Sequence, residues 1–427
     1  MSASSSTSTA MSTSSNTSTA MSAASGNMRL NVPLSRVQSS LLVDEVVVEI
    51  LSRVPVKSLL RFRCVCKSWK SLISDPKLVK LHLQRSMARN ADFTHLRLLF
   101  ECEPDENFDQ MYASSCSVNK FLEKPSSVID EPPYRYGLMF HRVIGSCNGL
   151  ICLMGTVFDF SNHQDRFWVR LWNPATRTRS QESSSFYHRG FNSFGFGYDD
   201  LSNTYKAVVV LFSASAKKHS QRNQVKVFTI GGNSWREIQC FPAVLTTRIQ
   251  EPVYLNGTLN WVALNVNSVN RVGWKHTSIT LDQVIIVSLH LGMETYTQLA
   301  LPRDIDEVSH SEPILGVLRD FLCVSHDHRR THFVIWQMKE FGVEGSWTRL
   351  VKVSYEYLYS GYSEYHSVPV VLCMSVSGDV LMLSYSDGRF QAILYNPEGS
   401  RLRRLTIPAS MYIESAKYYV ESLVWPC

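Results

Sequence analysis

From about residue 94 onward a two-part unit recurs, and that recurrence limits the fold more than any other feature. One part is a turn followed by an apolar strand: Asn148-Gly149-Leu150-Ile151, Asn256-Gly257-Thr258-Leu259, Arg319-Asp320-Phe321-Leu322 and Ser377-Gly378-Asp379-Val380. The other is a β-rich strand followed by a turn: RLWNPATR (170–177), KVFTIGGNSW (226–235), IVSLHLGMETY (286–296), VIWQMKEFGVEGSW (334–347) and ILYNPEGSR (393–401). Further β-rich runs lie among them, such as HLRLLFEC (95–102), KAVVVLF (206–212) and TLNWVAL (258–264), with turn signals at 231–233, 387–388 and 397–399. No long helical periodicity interrupts the series, so this half is predicted to be all-β.

Successive copies lie roughly 50 to 60 residues apart, the period of four-stranded propeller blades, and residues 94–427 hold about six. One blade cannot bury both faces alone, so neighbours must stack and the ring must close. KYYVESLVW (417–425) is the expected closing strand, beside HLRLLFEC. An irregular β-sandwich is the other arrangement considered, and the repeat disfavours it.

Ahead of the repeat lies LVDEVVVEILSRVPVKSLLRFRCVCKSWKSLISDPKLVKLHL (42–83). Val46, Val47, Ile50, Leu51 and Val54 fit one helical face, and Leu59, Leu60, Phe62, Val65, Trp69, Leu72 and Ile73 supply two more. About forty residues cannot bury all these faces internally, so one needs a partner. Asp44 is the expected cap of the first helix, Pro55 ends it, and Asp75-Pro76 is expected to break the chain.

The stretch from Glu49 to Ser74, with its PVKSLLRFRCVCKSW core, closely resembles the F-box of plant proteins. That resemblance implies docking onto a Skp1-type adaptor and, through it, a cullin. The contact residues it implies are Leu42, Val43, Ile50, Leu51, Val54, Pro55, Leu59, Leu60, Val65, Cys66 and Trp69, several of which must also serve as module core. The family's usual Leu-Pro is Leu42-Val43 here, which removes a preset φ, and Val46-Val47-Val48 lowers helix propensity. The β half resembles the kelch-like F-box-associated domain at 145–150 (GSCNGL), 171–177 (LWNPATR), 195–199 (GFGYD), 253–261 (VYLNGTLNW) and 419–424 (YVESLV). The expected fold is therefore α+β and multidomain: a Ser/Thr-rich disordered tail (1–35), a small helical F-box (36–86), a linker (87–93) and an all-β propeller-like domain of about six blades (94–427).

Composition narrows the remaining classes. The chain has 427 residues, a net charge of +6 and 44% hydrophobic residues, enough for a sizeable core. Arg53, Lys57, Arg61, Arg63, Lys67 and Lys70 form a basic face, yet no recognition helix accompanies them, so no nucleic acid is expected as a partner. No run of ~18 apolar residues signals a membrane span. The 1–27 leader lacks acids, as an organellar transit peptide does, but it also lacks the arginines such peptides need. Ten cysteines without framework or zinc spacing read as reduced thiols, with Cys64 and Cys66 placed in a helical stretch. A cytoplasmic and/or nuclear location is expected.

His326, Asp327, His328 and His332 invite a metal reading, but a hairpin turn flanked by Arg329 and Arg330 is the favoured one. Nucleotide, GxSxG and HExxH signatures are absent. No catalytic site and no cofactor are expected. The resemblance implies a non-catalytic substrate receptor of a Skp1–cullin–F-box ubiquitin ligase. Its unknown protein target is expected on loops of the β-domain, with Tyr355, Tyr357, Tyr359, Tyr362 and Tyr365 as candidate contacts and self-packed rings as their alternative. A ligand- or glycan-binding β-domain and a ligase-independent adaptor are the other classes considered.

Overall fold

The computed structural model describes residues 45–88, 93, 95–103, 111–128, 134–135, 140–213, 223–245, 251–265, 279–359, 367–386, 389–408 and 411–426. The tail at 1–35, Leu42, Val43, Asp44, the Asp387-Gly388 turn, Tyr362 and Tyr365 lie outside them.

Helical residues 45–51 (α1) precede α2 (Val56–Phe62), α3 (Lys67–Ile73) and α4 (Pro76–Ala88). One local expectation is extended here and one corrected. Asp75-Pro76 does separate two helices, α3 ending at Ile73, and it also opens the second: proline is preset for the first helical position, and Asp75 Oδ1 accepts the Lys77 N–H at 2.7 Å. Cys64 and Cys66 lie in the turn between α2 and α3, not in a helix. Cys66 is extended (φ −157°, ψ 167°) and caps α3, its sulfur accepting the Trp69 N–H at 3.5 Å.

The β half forms six antiparallel sheets. Blade I holds β1 (Leu96–Cys102), β2 (Tyr112–Ser117) and β3 (Tyr134–Arg135), with α5 (Val118–Glu123) after β2. Blade II holds β4 (Phe140–Cys147), β5 (Leu150–Asp159), β6 (Gln164–Asn173) and a split outer strand, β7 (Thr178–Arg179) and β8 (Phe186–His188). Blade III is β9 (Gly190–Asp199), β10 (Thr204–Ser213), β11 (Asn223–Thr229) and β12 (Arg236–Phe241). In blade IV the inner strand is split into β13 (Ala243–Val244) and β14 (Val253–Leu255), followed by β15 (Thr258–Asn265), β16 (Val284–His290) and β17 (Thr295–Ala300). Blade V is β18 (Ile314–Leu318), β19 (Phe321–His328), β20 (His332–Met338) and β21 (Trp347–Ser354), and α6 (Tyr355–Tyr359) follows it. Blade VI is β22 (Val370–Met374), β23 (Val380–Ser386), β24 (Arg389–Asn396) and β25 (Arg401–Thr406).

The last strand, β26 (Ile413–Val420), returns to blade I and pairs with β1 from Leu96↔Val420 to Cys102↔Ile413. Inner strands touch in the order β26, β4, β9, β14, β18, β22 and again β26, so the ring is closed. The expected closing strand is shifted. Pairing uses 413–420, whereas the chain beyond is held by Asn173, whose Nδ2 donates to the carbonyls of Ser422 (3.0 Å) and Val424 (2.7 Å).

Every blade buries both faces, which is why its strands read as unbroken apolar runs. In β10, Ala207, Val209 and Leu211 face blade II, while Val208 and Val210 face blade IV. Six clusters of buried side chains result, one for each contact between neighbouring blades. Each fully buried Val, Leu or Phe contributes about 1.5–3 kcal/mol, so the interfaces carry most of the stability.

Charged groups pin two of these contacts. Lys206 on β10 is bound to Asp199 (2.8 Å), Glu294 (3.3 Å) and the Leu291 carbonyl (2.7 Å), joining blade III to blade IV. Burial alone would raise the Asp199 carboxyl, but hydrogen bonds from Lys206, Ser202 and the Leu201 N–H outweigh it and hold it at about 2. At the closure, buried Glu101 on β1 accepts from the Val143 N–H (2.7 Å) and Ser415 Oγ (2.5 Å). Beside it Lys417 pairs with Glu251 at 2.7 Å, tying β26 to the segment before β14.

Turns after the first and third strands of a blade share one rim of the ring. Connections after the second and fourth share the other. A single turn design recurs at five hairpins. The side chains of Asp159, Asn173, Asp199, His290 and Asn396 each accept a backbone N–H two or three residues on. Four residues on, His163, Arg177, Asn203, Glu294 and Ser400 take positive φ between 45° and 57°. This is a type I turn closed by a left-handed residue, which lets antiparallel strands keep their twist.

Candidate functional site

Two surfaces are candidates, one on the helical module and one on the ring. In the module Leu51, Val56, Leu59, Ile73, Leu78 and Leu83 make the interior. Arg85 on α4 clasps α1 through the Glu49 carboxylate, the Ser52 hydroxyl and the Glu49 carbonyl. His82 is buried with Nε2 on the Val54 carbonyl at 2.9 Å, and burial lowers its pKa.

The residues implied as adaptor contacts divide accordingly. Leu51 (2% exposed) and Leu59 (0%) are committed to the interior and offer no surface. Val54, Leu60 and Trp69 are half-buried, with Trp69 edge-on to Phe62 at 5.4 Å. Ile50 (57%) and Val65 (67%) are apolar and open to solvent, and Pro55 and Cys66 are exposed beside them in sequence. Both lie among the larger exposed apolar side chains of the described residues, so they are the candidates for an interaction surface on the module. From Val56 to Ser74 the sequence holds no acid, while Lys57, Arg61, Arg63, Lys67 and Lys70 are all basic, so the surroundings favour an acidic partner.

On the ring, the tyrosine segment turns out to be built into the fold. Tyr355 is 5% exposed and stacks on Tyr359 at 6.0 Å. The Tyr359 hydroxyl donates to the Ser367 carbonyl (3.0 Å), and burial pushes its pKa up to about 12. Tyr357 is half-open, but its hydroxyl is tied to the Ser400 carbonyl at 2.8 Å, and Arg404 Nε donates to the Leu358 carbonyl at 2.7 Å. The self-packed alternative therefore describes Tyr355 and Tyr359, and among the described tyrosines of this segment only the Tyr357 ring faces solvent.

The histidine cluster is also structural. His326 and His328 lie in β19 and His332 in β20, so the hairpin turn is residues 329–331, with Arg329 and Arg330 at positive φ. The buried His326 ring bonds Ser309 Oγ (3.2 Å) and the Trp336 indole (3.3 Å), and burial lowers its pKa to about 4. Among the described residues no group of three or more His, Cys, Asp or Glu is arranged to hold a metal ion. Reading FWVRLW (167–172) for apolar content alone hides the alternation of Trp168, Arg170 and Trp172 on one face of β6, which Arg166 just before the run continues.

The F-box domain model matches residues 39–81, and that of the F-box associated beta propeller domain matches residues 104–425. The chain belongs to the F-box proteins that carry an F-box-associated β-propeller. An F-box/kelch-repeat protein of Arabidopsis thaliana is 26% identical over 393 residues, which cover 90% of this chain and 95% of that one. The F-box protein CPR1 of the same plant is 26% identical over 390 residues, covering 90% and 88%.

Proposed function

We propose that this chain is the substrate-recognition subunit of an SCF-type (Skp1–cullin–F-box) E3 ubiquitin ligase, recruiting a target protein for ubiquitination and proteasomal degradation. The observation that carries this reading is a basic helical module of F-box type with Ile50 and Val65 bare. Its apolar groups provide affinity for a Skp1-type adaptor, and its cations speed encounter with an acidic one. The β-propeller holds the target. Catalysis is then by proximity: the complex raises the effective concentration of a target lysine at a thioester carried elsewhere, and this chain contributes no nucleophile of its own. It acts in the cytoplasm and/or nucleus.

Topology supports a division of labour. The chain enters β1 at the rim of tight turns, whereas the long connections, such as 301–313, leave from the opposite rim. A target gripped there faces away from the adaptor-side entry. The test is co-elution of the full chain with a purified Skp1-type adaptor, followed by quantitative proteomics with and without residues 42–83. A stoichiometric complex and a set of proteins stabilised by the deletion are expected. No complex, under conditions where another F-box protein binds, would refute the reading.

A further inference from the structure

Strand β25 is the outer edge of blade VI, since the sheet order β22-β23-β24-β25 ends there. An edge strand presents a row of N–H and C=O groups that no neighbouring strand takes up. In three other blades the next blade reaches across to such groups. The Ser184 carbonyl accepts from the Trp235 indole (2.9 Å), the Gln239 carbonyl on β12 from the Tyr296 hydroxyl (3.0 Å), and the Ala300 carbonyl on β17 from the Trp347 indole (3.2 Å). Among the described residues no side chain does this for the backbone of Arg401–Thr406. The edge is open.

It is also cationic. RLRRLT carries Arg401, Arg403 and Arg404 and no acid, whereas β12 sets Glu237 beside Arg236 and β17 has no charge. Alternation puts Arg404 with Leu402 on the side of blade V, and Arg401 and Arg403 with Leu405 on the side of blade I. Arg404 is already committed, its Nε donating to the Leu358 carbonyl at 2.7 Å. Arg401 and Arg403 are exposed and form no ion pair among the described residues. Asp379 lies within electrostatic reach of Arg401, but its carboxylate already accepts from Ser377 (2.6 Å) and Asn396 (3.0 Å). Beside the start of the strand stands the half-open Tyr357 ring, fixed by its hydroxyl on the Ser400 carbonyl.

We propose that the open edge of β25 takes up an extended anionic segment of the target as an added strand. The segment's backbone bonds the outward N–H and C=O groups, and its carboxylate or phosphoryl groups pair with Arg401 and Arg403. Alternate side chains lie about 6.6 Å apart on both strands, so one register satisfies both arginines. The same arginines repel a second copy of this edge, which disfavours self-pairing and leaves an oppositely charged strand as the fitting occupant. This rests on the substrate-receptor reading and supplies the chemical class of the target.

The test is fluorescence anisotropy with the full chain at low salt. The labelled probes are alternating Glu-Thr, the same peptide fully N-methylated, alternating phosphoserine-Thr, alternating Lys-Thr, and a single-stranded oligothymidylate of matching charge. One or both anionic peptides should bind, and the tighter assigns carboxylate or phosphoryl as the source of the charge. N-methylation, which keeps the carboxylates and deletes the backbone donors, should weaken binding about tenfold or more. The double variant Arg401→Gln, Arg403→Gln should weaken it about tenfold, and Arg403→Gln alone about threefold. Both side chains are exposed, so these variants keep the fold, and an unchanged melting temperature checks it. Lys352→Gln, exposed on blade V, should bind as wild type. No binding by either anionic peptide, undiminished binding after N-methylation, or wild-type affinity in the double variant overturns the proposal. So does tighter binding of the oligothymidylate or the lysine peptide. Peptide binding needs no adaptor, and adaptor capture in parallel samples reports on the receptor reading separately.

Discussion

The helical module and the ring treat apolar surface in opposite ways. In the ring the inner and middle strands of each blade are packed against neighbouring blades, and β26 closes the circle of inner-strand contacts. Among the described residues of the module six large apolar side chains reach the interior, while Ile50 and Val65 remain more than half exposed. A closed ring grips by what its loops and blade faces present. A small helical unit with bare aliphatic groups grips by what it fails to bury. On the proposed function, stability and binding are separated along this chain: substitutions in the ring interior act on folding, and those at the module surface are expected to act on assembly.

The separation can be broken most severely at the closure. Truncation before residue 413 removes β26 and the Glu101 partners Ser415 and Lys417, and should abolish cooperative thermal unfolding of the ring by circular dichroism. A retained transition near the wild-type temperature would show that closure is dispensable. Next in size, inside the module, Leu59→Ala should cost about 2–5 kcal/mol, measured as lost helix protection in hydrogen exchange. If Leu59→Ala left protection intact while abolishing adaptor capture, the assignment of Leu59 to the interior would be wrong. In the ring, Asp199→Ala removes the nearest carboxylate from buried Lys206, leaving Glu294 and the Leu291 carbonyl as its partners, and should cost about 1–3 kcal/mol in urea unfolding.

A smaller effect follows from His326. Its folded pKa of about 4 lies below the ordinary imidazole value because burial disfavours the charged ring. The unfolded chain therefore binds the extra proton first. Stability from this group is present above about pH 6.5 and is lost as pH falls toward 4, at up to about 1.4 kcal/mol per pH unit. His326→Gln should flatten that part of the stability–pH curve. Least of all, Arg177→Gly relieves a left-handed residue in a recurring turn and should stabilise the ring by about 0.5–1 kcal/mol.

Much of the ring was legible because its repeat is written in residues with strong local consequences. Asn148-Gly149 and Asn256-Gly257 force tight reversals, and AVVVL in β10 has no polar face to give water. The closing strand was legible as an apolar run, but its register was not. Pairing stops at Val420 because Asn173, far away in sequence, takes the carbonyls beyond. Turn starts other than asparagine were hidden for a similar reason: His290 caps its turn through a ring nitrogen, which composition does not announce. The tyrosine segment misled because aromatic density looks alike whether rings face solvent or each other. Only the contacts of Tyr355 with Tyr359, and of Tyr357 with Ser400, decide it. In the module, helical periodicity marks Leu51, Leu59, Ile50 and Val65 equally as apolar, and packing alone divides interior from surface.

The most direct measurement is calorimetric titration of a purified Skp1-type adaptor into the full chain and into the double variant Ile50→Glu, Val65→Glu. Tight one-to-one binding by the wild type is expected, with a loss of at least about a hundredfold in the variant at unchanged melting temperature. Equal affinity in the two proteins would contradict the claim that these uncovered aliphatic groups are where the complex is made.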